Sequence, residues 1–553
     1  MMIAGDAYAA TIAVTEVDDG LTGSACTLRG AIDSVNGGAN ASACVATGAA
    51  YGTSDTINLP AGTYTNALAG GGEDLNATGD LDLLASVTLT GAGASTTFID
   101  GGAIDRVMHV AVGVTVSISD VTIQNGSSPG DGGGIYNSGT LDLTGVTLSG
   151  NAVTVAFTYA GAIYNNGGAL TLTDVTVSGN TALGGNVGMS GIYNVGGGTL
   201  TIDRSTFSGN TANVYGSLMN SVGSCVITNS TFSGNTIQNN AVGDISNAST
   251  MTIKNTTVTG SSRYGIYAGN GAITVSNTIV TGNTGNACNI TGGTITSNGY
   301  NLDDDGTCPF GGVGDISGSA LANLGALANN GGSTQTHALL SGSAALDTGD
   351  CSGGTVTTDQ RGTARPQGSA CDIGAYEAKW PTVSVTKNGS GSVFDNGGLA
   401  GFTIACGATC SDTVFEGDSV DLTAIPGVGV NFTGWSGACS GTGHCVLNAI
   451  AADKSVTATF ITPGAPVVTT DAATGVTRRD ATMNGTVNPD NGGATTVTFE
   501  YGETNAYGAT VAADQSPLAD SGSDTGVTAS LTGLTCGTTY HYRVVATNAT
   551  GTS

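Results

Sequence analysis

Charge is scarce in this 553-residue chain: Asp, Glu, Lys and Arg make up 10% of it, against about 25% in ordinary globular proteins. Lys and Arg number 13 against 41 Asp and Glu, a formal charge of −28. Without a basic tract, nucleic-acid binding lacks its main source of affinity, cationic side chains on phosphates. No run of about 18 apolar residues occurs, so no membrane-spanning helix is expected. Proline is also rare. Pro60 and Pro129 alone precede residue 300, which suits a region whose backbone N–H groups serve β ladders. There are four histidines and none between residues 110 and 336, which withholds the commonest general base from most of that region. The 91 glycines do not fall every third residue, which excludes collagen. Disorder is excluded by the strict recurrence of Val, Ile and Leu.

Cysteine, in contrast, is present in closely spaced couples: Cys26/Cys44, Cys288/Cys308, Cys351/Cys371, Cys406/Cys410 and Cys439/Cys445. Such couples read as disulfides and imply an oxidising, extracellular compartment. Cys406, Cys410, Cys439 and Cys445 lie near His444, but their spacing is unusual for zinc. Cys225 and Cys536 remain as free thiols. Ala7-Tyr8-Ala9 has the small-x-small form of a signal-peptidase site and is read as the tail of a signal peptide whose front the sequence lacks.

A two-part repeat dominates residues 115–283. One half reads Gly133-Gly134-Ile135-Tyr136-Asn137, then Gly161-Ala162-Ile163-Tyr164-Asn165, then Ser190-Gly191-Ile192-Tyr193-Asn194. The other half runs from Leu141 to Asn151 and returns at 170–180, 200–210, 225–235, 251–261 and 273–283. Apolar residues alternate with Thr, Ser or Asp, the period of a strand with one buried face. Short strands joined by Gly/Asn turns, repeating every 22–30 residues, form one rung of a parallel β-helix. Asn151, Asn180, Asn210, Asn235 and Asn283 suit a stacked internal ladder, and Tyr136, Tyr164 and Tyr193 would stack similarly. Asp120, Gly145, Asp174, Arg204, Asn229, Asn255 and Asn277 share a column of types that tolerate a left-handed turn. Cys225 shares the column of Leu141, Leu170, Leu200, Met251 and Ile273 and is expected to be a buried small hydrophobe.

These repeats resemble the right-handed parallel β-helices of bacterial surface proteins, including the Gly-Gly-Ala-Ile-type repeats of polymorphic outer-membrane proteins. Ahead of them, Leu28, Ala31, Ile32 and Val35 form a single helical stripe, suited to capping an open solenoid end. Cys26-Thr27-Leu28-Arg29-Gly30-Ala31-Ile32 resembles the CSLREA domain, with Thr27 for its Ser and Gly30 for its Glu. Residues 297–378 resemble the choice-of-anchor Q domain through Leu324-Gly325-Ala326-Leu327, Asn329-Asn330-Gly331-Gly332, Thr358-Asp359-Gln360-Arg361-Gly362 and Cys371-Asp372-Ile373-Gly374-Ala375-Tyr376-Glu377. That resemblance implies a C-terminal completion of the β-helix. Phe432-Thr433-Gly434-Trp435-Ser436-Gly437 resembles a small repeat module of bacterial cell-surface proteins, with Phe432, Trp435 and Phe460 as core. Thr539-Tyr540-His541-Tyr542-Arg543-Val544 is similar to a fibronectin type III signature. Six strands are countable there and the last has no sequence, so either the chain stops early or another chain supplies it.

The expected fold is therefore all-β: a right-handed parallel β-helix with a helical cap, followed by two small sandwich-like modules. Its divisions are a leader remnant or extended segment at 1–16, the cap at 17–54, the β-helix at 55–296, its completion at 297–378, the surface-repeat module at 379–462 and the fibronectin type III-like domain at 463–553. The expected function is a secreted or cell-surface stalk, adhesin or fibre component without catalytic role, with glycans, the cell surface or other copies of the chain as partners. The alternatives are a polysaccharide-active enzyme of the pectate lyase or polygalacturonase kind, a glycan-binding module, or a filament subunit joined by strand addition. The catalytic candidates for the enzyme are Asp174, Asp203 and Arg204 on adjacent rungs. No cofactor is expected. Asp303, Asp304 and Asp305 are candidates for extracellular Ca²⁺, as is Asp18-Asp19-Gly20, against the plainer reading of solvated turns.

Overall fold

The computed structural model describes the whole chain except residues 1–8, 21–24, 53–54, 156, 185–187, 240–241, 319–320, 352–355, 400 and 407–408. The possible signal-peptidase site Ala7-Tyr8-Ala9 lies largely outside the described residues. Two compact units divide at Ala378/Lys379.

The first unit is a parallel β-solenoid. Its strands stack into sheets of 12, 11 and 9 strands, with a five-stranded strip at one corner. The alternation of apolar and Thr/Ser residues decides which side of each strand is buried, and register then stacks like on like. On the longest sheet Leu141, Leu170, Leu200, Cys225, Met251 and Ile273 are successive partners, all buried. On the second sheet Phe207 and Phe232 stack with centroids 4.6 Å apart. Parallel register of this kind leaves every rung the same path to follow, so each corner repeats a conformation. Asp120, Gly145, Asp174, Arg204, Asn229, Asn255 and Asn277 all have φ between +47° and +63°, which is why Asp, Asn and Gly recur there.

Two buried amide ladders run through the stack. In the first, Asn151, Asn180 and Asn210 each donate Nδ2 to the Oδ1 of the next Asn, at 3.1, 3.0 and 3.0 Å, ending on Asn235. There the chain of amides is broken. Ser261 occupies the next position, and Asn235 donates instead to Asp244 Oδ2 at 2.8 Å. Asn283 therefore stands apart from the other four and accepts from the Ser261 N–H at 3.0 Å. The second ladder uses the Asn of the Gly-Gly-Ile-Tyr-Asn repeat: Asn137, Asn165, Asn194, Asn220 and Asn247 are linked at 2.7, 2.7, 2.8 and 2.8 Å. A buried primary amide has two donors and one acceptor oxygen, so stacking at the rung repeat satisfies it without water.

One helix, Leu28–Gly37, covers the first rung. Thr27 caps it, accepting from Gly30 N–H, and Gly38 ends it with φ +61°. Leu28, Ala31, Ile32 and Val35 join the same apolar cluster as Ile12, Ile57 and Leu81. Gly30 packs beside the Cys26–Cys44 disulfide: a Cβ there would sit 3.3 Å from Ser42 Cβ and 3.4 Å from Cys44 Sγ. That crowding accounts for glycine at this position.

Residues 321–378 do not continue the stack. Their described part runs back along the outer side of the second sheet, so the expected completion is split: Leu302–Asp303 and Ile316–Ser317 still extend that sheet, and the rest lies beside it. Thr206 Oγ1 donates to the Gln335 carbonyl at 2.5 Å, Thr231 Oγ1 to Gln360 Oε1 at 2.6 Å, and Ala375 N–H to Thr257 Oγ1 at 3.0 Å. Ser233 Oγ meets His337 Nε2 at 2.8 Å. Within this cover lie the buried ion pairs Arg361–Asp359 and Arg365–Glu377, at 2.7 and 2.8 Å.

The second unit holds two small β modules, antiparallel except where Thr382–Asn388 pairs in parallel with Lys454–Ile461. In the first, strand Thr382–Asn388 lies between Thr409–Thr413 and Lys454–Ile461 in a four-stranded sheet opposite a three-stranded one. Val383, Val385, Trp435, Val456 and Phe460 form its core, with Phe432 half-buried at the edge. The next module pairs two three-stranded sheets around Met483, Val487, Val497, Phe499 and Val544. All five cysteine couples are closed as disulfides, while Cys225 is buried and Cys536 exposed as free thiols.

Candidate functional site

The residues singled out for catalysis do come together, with Arg204 between the two carboxylates. Arg204 reaches across one rung to Asp174 at 3.0 Å and sideways to Asp203 at 2.5 Å. Burial raises the Asp203 carboxyl above its ordinary range, against the pull of Arg204. One guanidinium thus offsets two carboxylates at a left-handed corner, and the Arg204 carbonyl is taken by Thr334 Oγ1 at 2.8 Å. The three Ca²⁺ candidates accept from local donors, except that Asp303 Oδ1 is buried without a hydrogen-bond partner. Asp304 Oδ2 accepts from Thr281 Oγ1 and Gly282 N–H, both at 2.8 Å. Asp305 accepts from Thr307 and from Ala287 N–H, and Asp303 Oδ2 from Cys308 N–H at 3.3 Å. Asp19 clamps Arg29 at 2.6 Å and accepts the Ala67 N–H at 2.7 Å.

A different cluster forms at the capped end of the third sheet. Register places Asp82, His109, Tyr136, Tyr164 and Tyr193 in one outward column on successive rungs. Residues 66–80 fold over the start of that column and bury Asp82 completely. Its Oδ2 accepts the Asn76 N–H at 2.8 Å, and its Oδ1 lies 3.1 Å from His109 Nδ1. Asp74 Oδ1 approaches the same nitrogen at 3.5 Å from the solvent side. Among the described residues these three are the one group of His, Cys, Asp or Glu side chains whose ligand atoms converge within 4.8 Å.

Beside them, Arg106 pairs with Asp80 at 3.0 Å and lies over the Tyr136 ring at 5.3 Å. Burial pushes the Asp80 carboxyl up to about 7, with Asp82 and Asp105 adding to the rise and Arg106 opposing it. Burial also raises Asp105 and Asp131. The tyrosines pack on one another: Tyr136 and Tyr164 stack at 5.2 Å, Tyr164 meets Tyr193 at 5.5 Å, and Tyr159 inserts 4.9 Å from Tyr193. Much of their ring surface is used in mutual packing, which makes the column a wall rather than an open stacking platform. The patch therefore unites a carboxyl that titrates near neutrality, an imidazole between two carboxylates, and a guanidinium. Sequence reasoning missed it because the repeat is weak before residue 115. The available signal was Asp82 and His109, one rung apart at a separation of 27 residues.

Residues 382–462 match the family of divergent InlB B-repeat domains, the module that Phe432-Thr433-Gly434-Trp435 singles out. That domain and the solenoid together fit a bacterial surface β-helix protein. Among solved structures the chain is similar to the Azotobacter vinelandii mannuronan C-5 epimerase AlgE6 A-module. Identity is 13% over 48% of this chain and 87% of that one, with a TM-score of 0.20, which carries no argument. No curated protein gives a significant sequence match. Among the described residues no helix is long and apolar enough to cross a membrane, and the disulfides fit an extracellular location.

Proposed function

We propose that the protein is an extracellular, surface-displayed adhesive or structural scaffold. The observation that carries this reading is the B-repeat module at 382–462 joined to a solenoid. Supporting it, the solenoid spends its buried polar side chains on internal ladders and on its lateral cover, which favours a rigid rod over a solvent-filled cleft. The low charge and abundant Thr, Ser and Asn leave a neutral hydrogen-bonding surface suited to glycans or to a neighbouring cell envelope. Antibodies raised against residues 382–553 are expected to label intact cells, and deletion of the gene to weaken attachment. Labelling that requires permeabilised cells would refute the surface assignment.

The cluster at Asp80, Arg106 and His109 favours a second reading, action on an acidic polysaccharide. Arg106 would receive a uronate carboxylate in place of its Asp80 partner. Turnover of a uronide that is lost in Arg106→Ala and kept in Asp203→Asn supports this reading. Turnover lost in Asp203→Asn instead would return catalysis to the corner.

A further inference from the structure

We propose that Asp74, Asp82 and His109 form a binding site for one borderline divalent cation, of the Zn²⁺ kind. The inference stands apart from both readings above, since a cation here would serve a scaffold or an enzyme.

The donor geometry is the first support. Tetrahedral coordination with metal–ligand bonds of about 2.1 Å separates neighbouring donor atoms by about 3.4 Å. His109 Nδ1 stands 3.1 Å from Asp82 Oδ1 and 3.5 Å from Asp74 Oδ1. A single Nδ1–H can donate well to only one of two oxygens, so the second carboxylate, Asp74, faces the imidazole without receiving its proton. A cation replacing that proton, which leaves to water, meets all three donors at once.

The second support is charge. Asp105 Oδ2 is buried near this group without a hydrogen-bond partner, and Asp80 Oδ2 is held by the Arg106 guanidinium at 3.0 Å. Arg106 is the cation that opposes Asp80 and Asp105, while Arg29 is committed to Asp19 at 2.6 Å. Buried carboxylates persist when they are paired or coordinate a metal.

Preorganisation is the third. Asp82 is fixed by the Asn76 N–H, which turns its other oxygen to the site. The His109 ring is held edge-on to Tyr136, centroids 5.4 Å apart. Asp74 is 71% exposed and closes the site from outside, so the remaining coordination positions face solvent and are open to water or a ligand oxygen. An imidazole donor selects against Ca²⁺, which prefers oxygen alone.

The test uses the full chain, stripped with chelator and titrated with ZnCl₂ by calorimetry and equilibrium dialysis. One equivalent is expected, with Ca²⁺ binding at least 10-fold more weakly. Asp74→Asn, at an exposed position that threatens no packing, and His109→Ala are each expected to weaken binding by 10- to 100-fold. Asp203→Asn, at the distant corner, leaves it unchanged. NMR of the His109 imidazole is expected to shift on loading and not to titrate with pH while loaded. Stoichiometric binding that survives both Asp74→Asn and His109→Ala overturns the proposal, as does no binding at millimolar metal.

Discussion

Replacing Asn194 by Ala tests whether the second amide ladder holds the solenoid together. In the native stack Asn194 Nδ2 donates to Asn220 Oδ1 at 2.8 Å and to the Gly198 carbonyl at 2.9 Å. Its Oδ1 accepts from Asn165 Nδ2 at 2.7 Å. The substitution removes these three bonds, and a longer one to the Ser224 carbonyl at 3.3 Å, in a fully buried position. Asn165 keeps its bond to the Gly168 carbonyl at 2.9 Å, but Asn220 Oδ1 and the Gly198 carbonyl lose a donor that water cannot replace. Each lost bond is worth about 1 kcal/mol, and each stranded group adds about 1–3 kcal/mol, partly overlapping. The expected cost is about 3–5 kcal/mol. Thr201→Ala is the control: it points outward one strand away, is exposed, and should cost within about 0.5 kcal/mol. Urea unfolding followed by hydrogen-exchange mass spectrometry reads both changes, because exchange localises the loss when rungs open separately. Protection should fall first in 190–225 and in the rungs on either side. If Asn194→Ala costs no more than about 1 kcal/mol, or if protection falls only at residue 194 itself, the ladder contributes little and the reasoning fails.

The lateral cover should respond to pH. Asp372 is raised to about 7 by burial first and by the Glu377 charge second, against hydrogen bonds from Asp347 and Ala378. Unfolded, it releases its proton near pH 3.9. Between about pH 4 and 7 the folded state therefore holds the extra proton, and this group makes stability fall as pH rises through that window, then level off. Asp372→Asn should flatten the slope; an unchanged slope refutes the assignment. Free thiols give a simpler check. Burial pushes the Cys225 thiol up, while Cys536 is exposed. Ellman's reagent should find one fast thiol in the folded protein and a second only on denaturation, and equal rates would contradict the packing of Cys225.

Much of the solenoid was legible because its period is local. Alternation within each strand assigns Leu141, Leu143 and their successors to the inside, and the column of Asp, Gly and Asn marks a corner whose φ is positive. The first amide ladder was legible for the same reason. The second was visible as a repeated Asn at 137, 165 and 194, but a Tyr-Asn pair reads equally as an outward aromatic and a turn residue until the strand's faces are known. Asn283 shows the limit in the other direction: it keeps the column yet is cut off by Ser261, and only contact shows that Asp244 takes the open donor of Asn235.

By itself the sequence determined the all-β class, the stacked rungs, the capping helix and the cysteine couples, since each rests on residues near one another in the chain or one repeat apart. Three things were left to tertiary structure: the return of 321–378 along the second sheet, the spending of Asp174, Asp203 and Arg204 on one corner, and the meeting of Asp74, Asp82 and His109. The physical reason is common to all three. Register between rungs follows a period, but the course of a non-periodic segment such as 66–80 or 321–378 is set by what it buries, and that is decided only when the rungs beneath it exist.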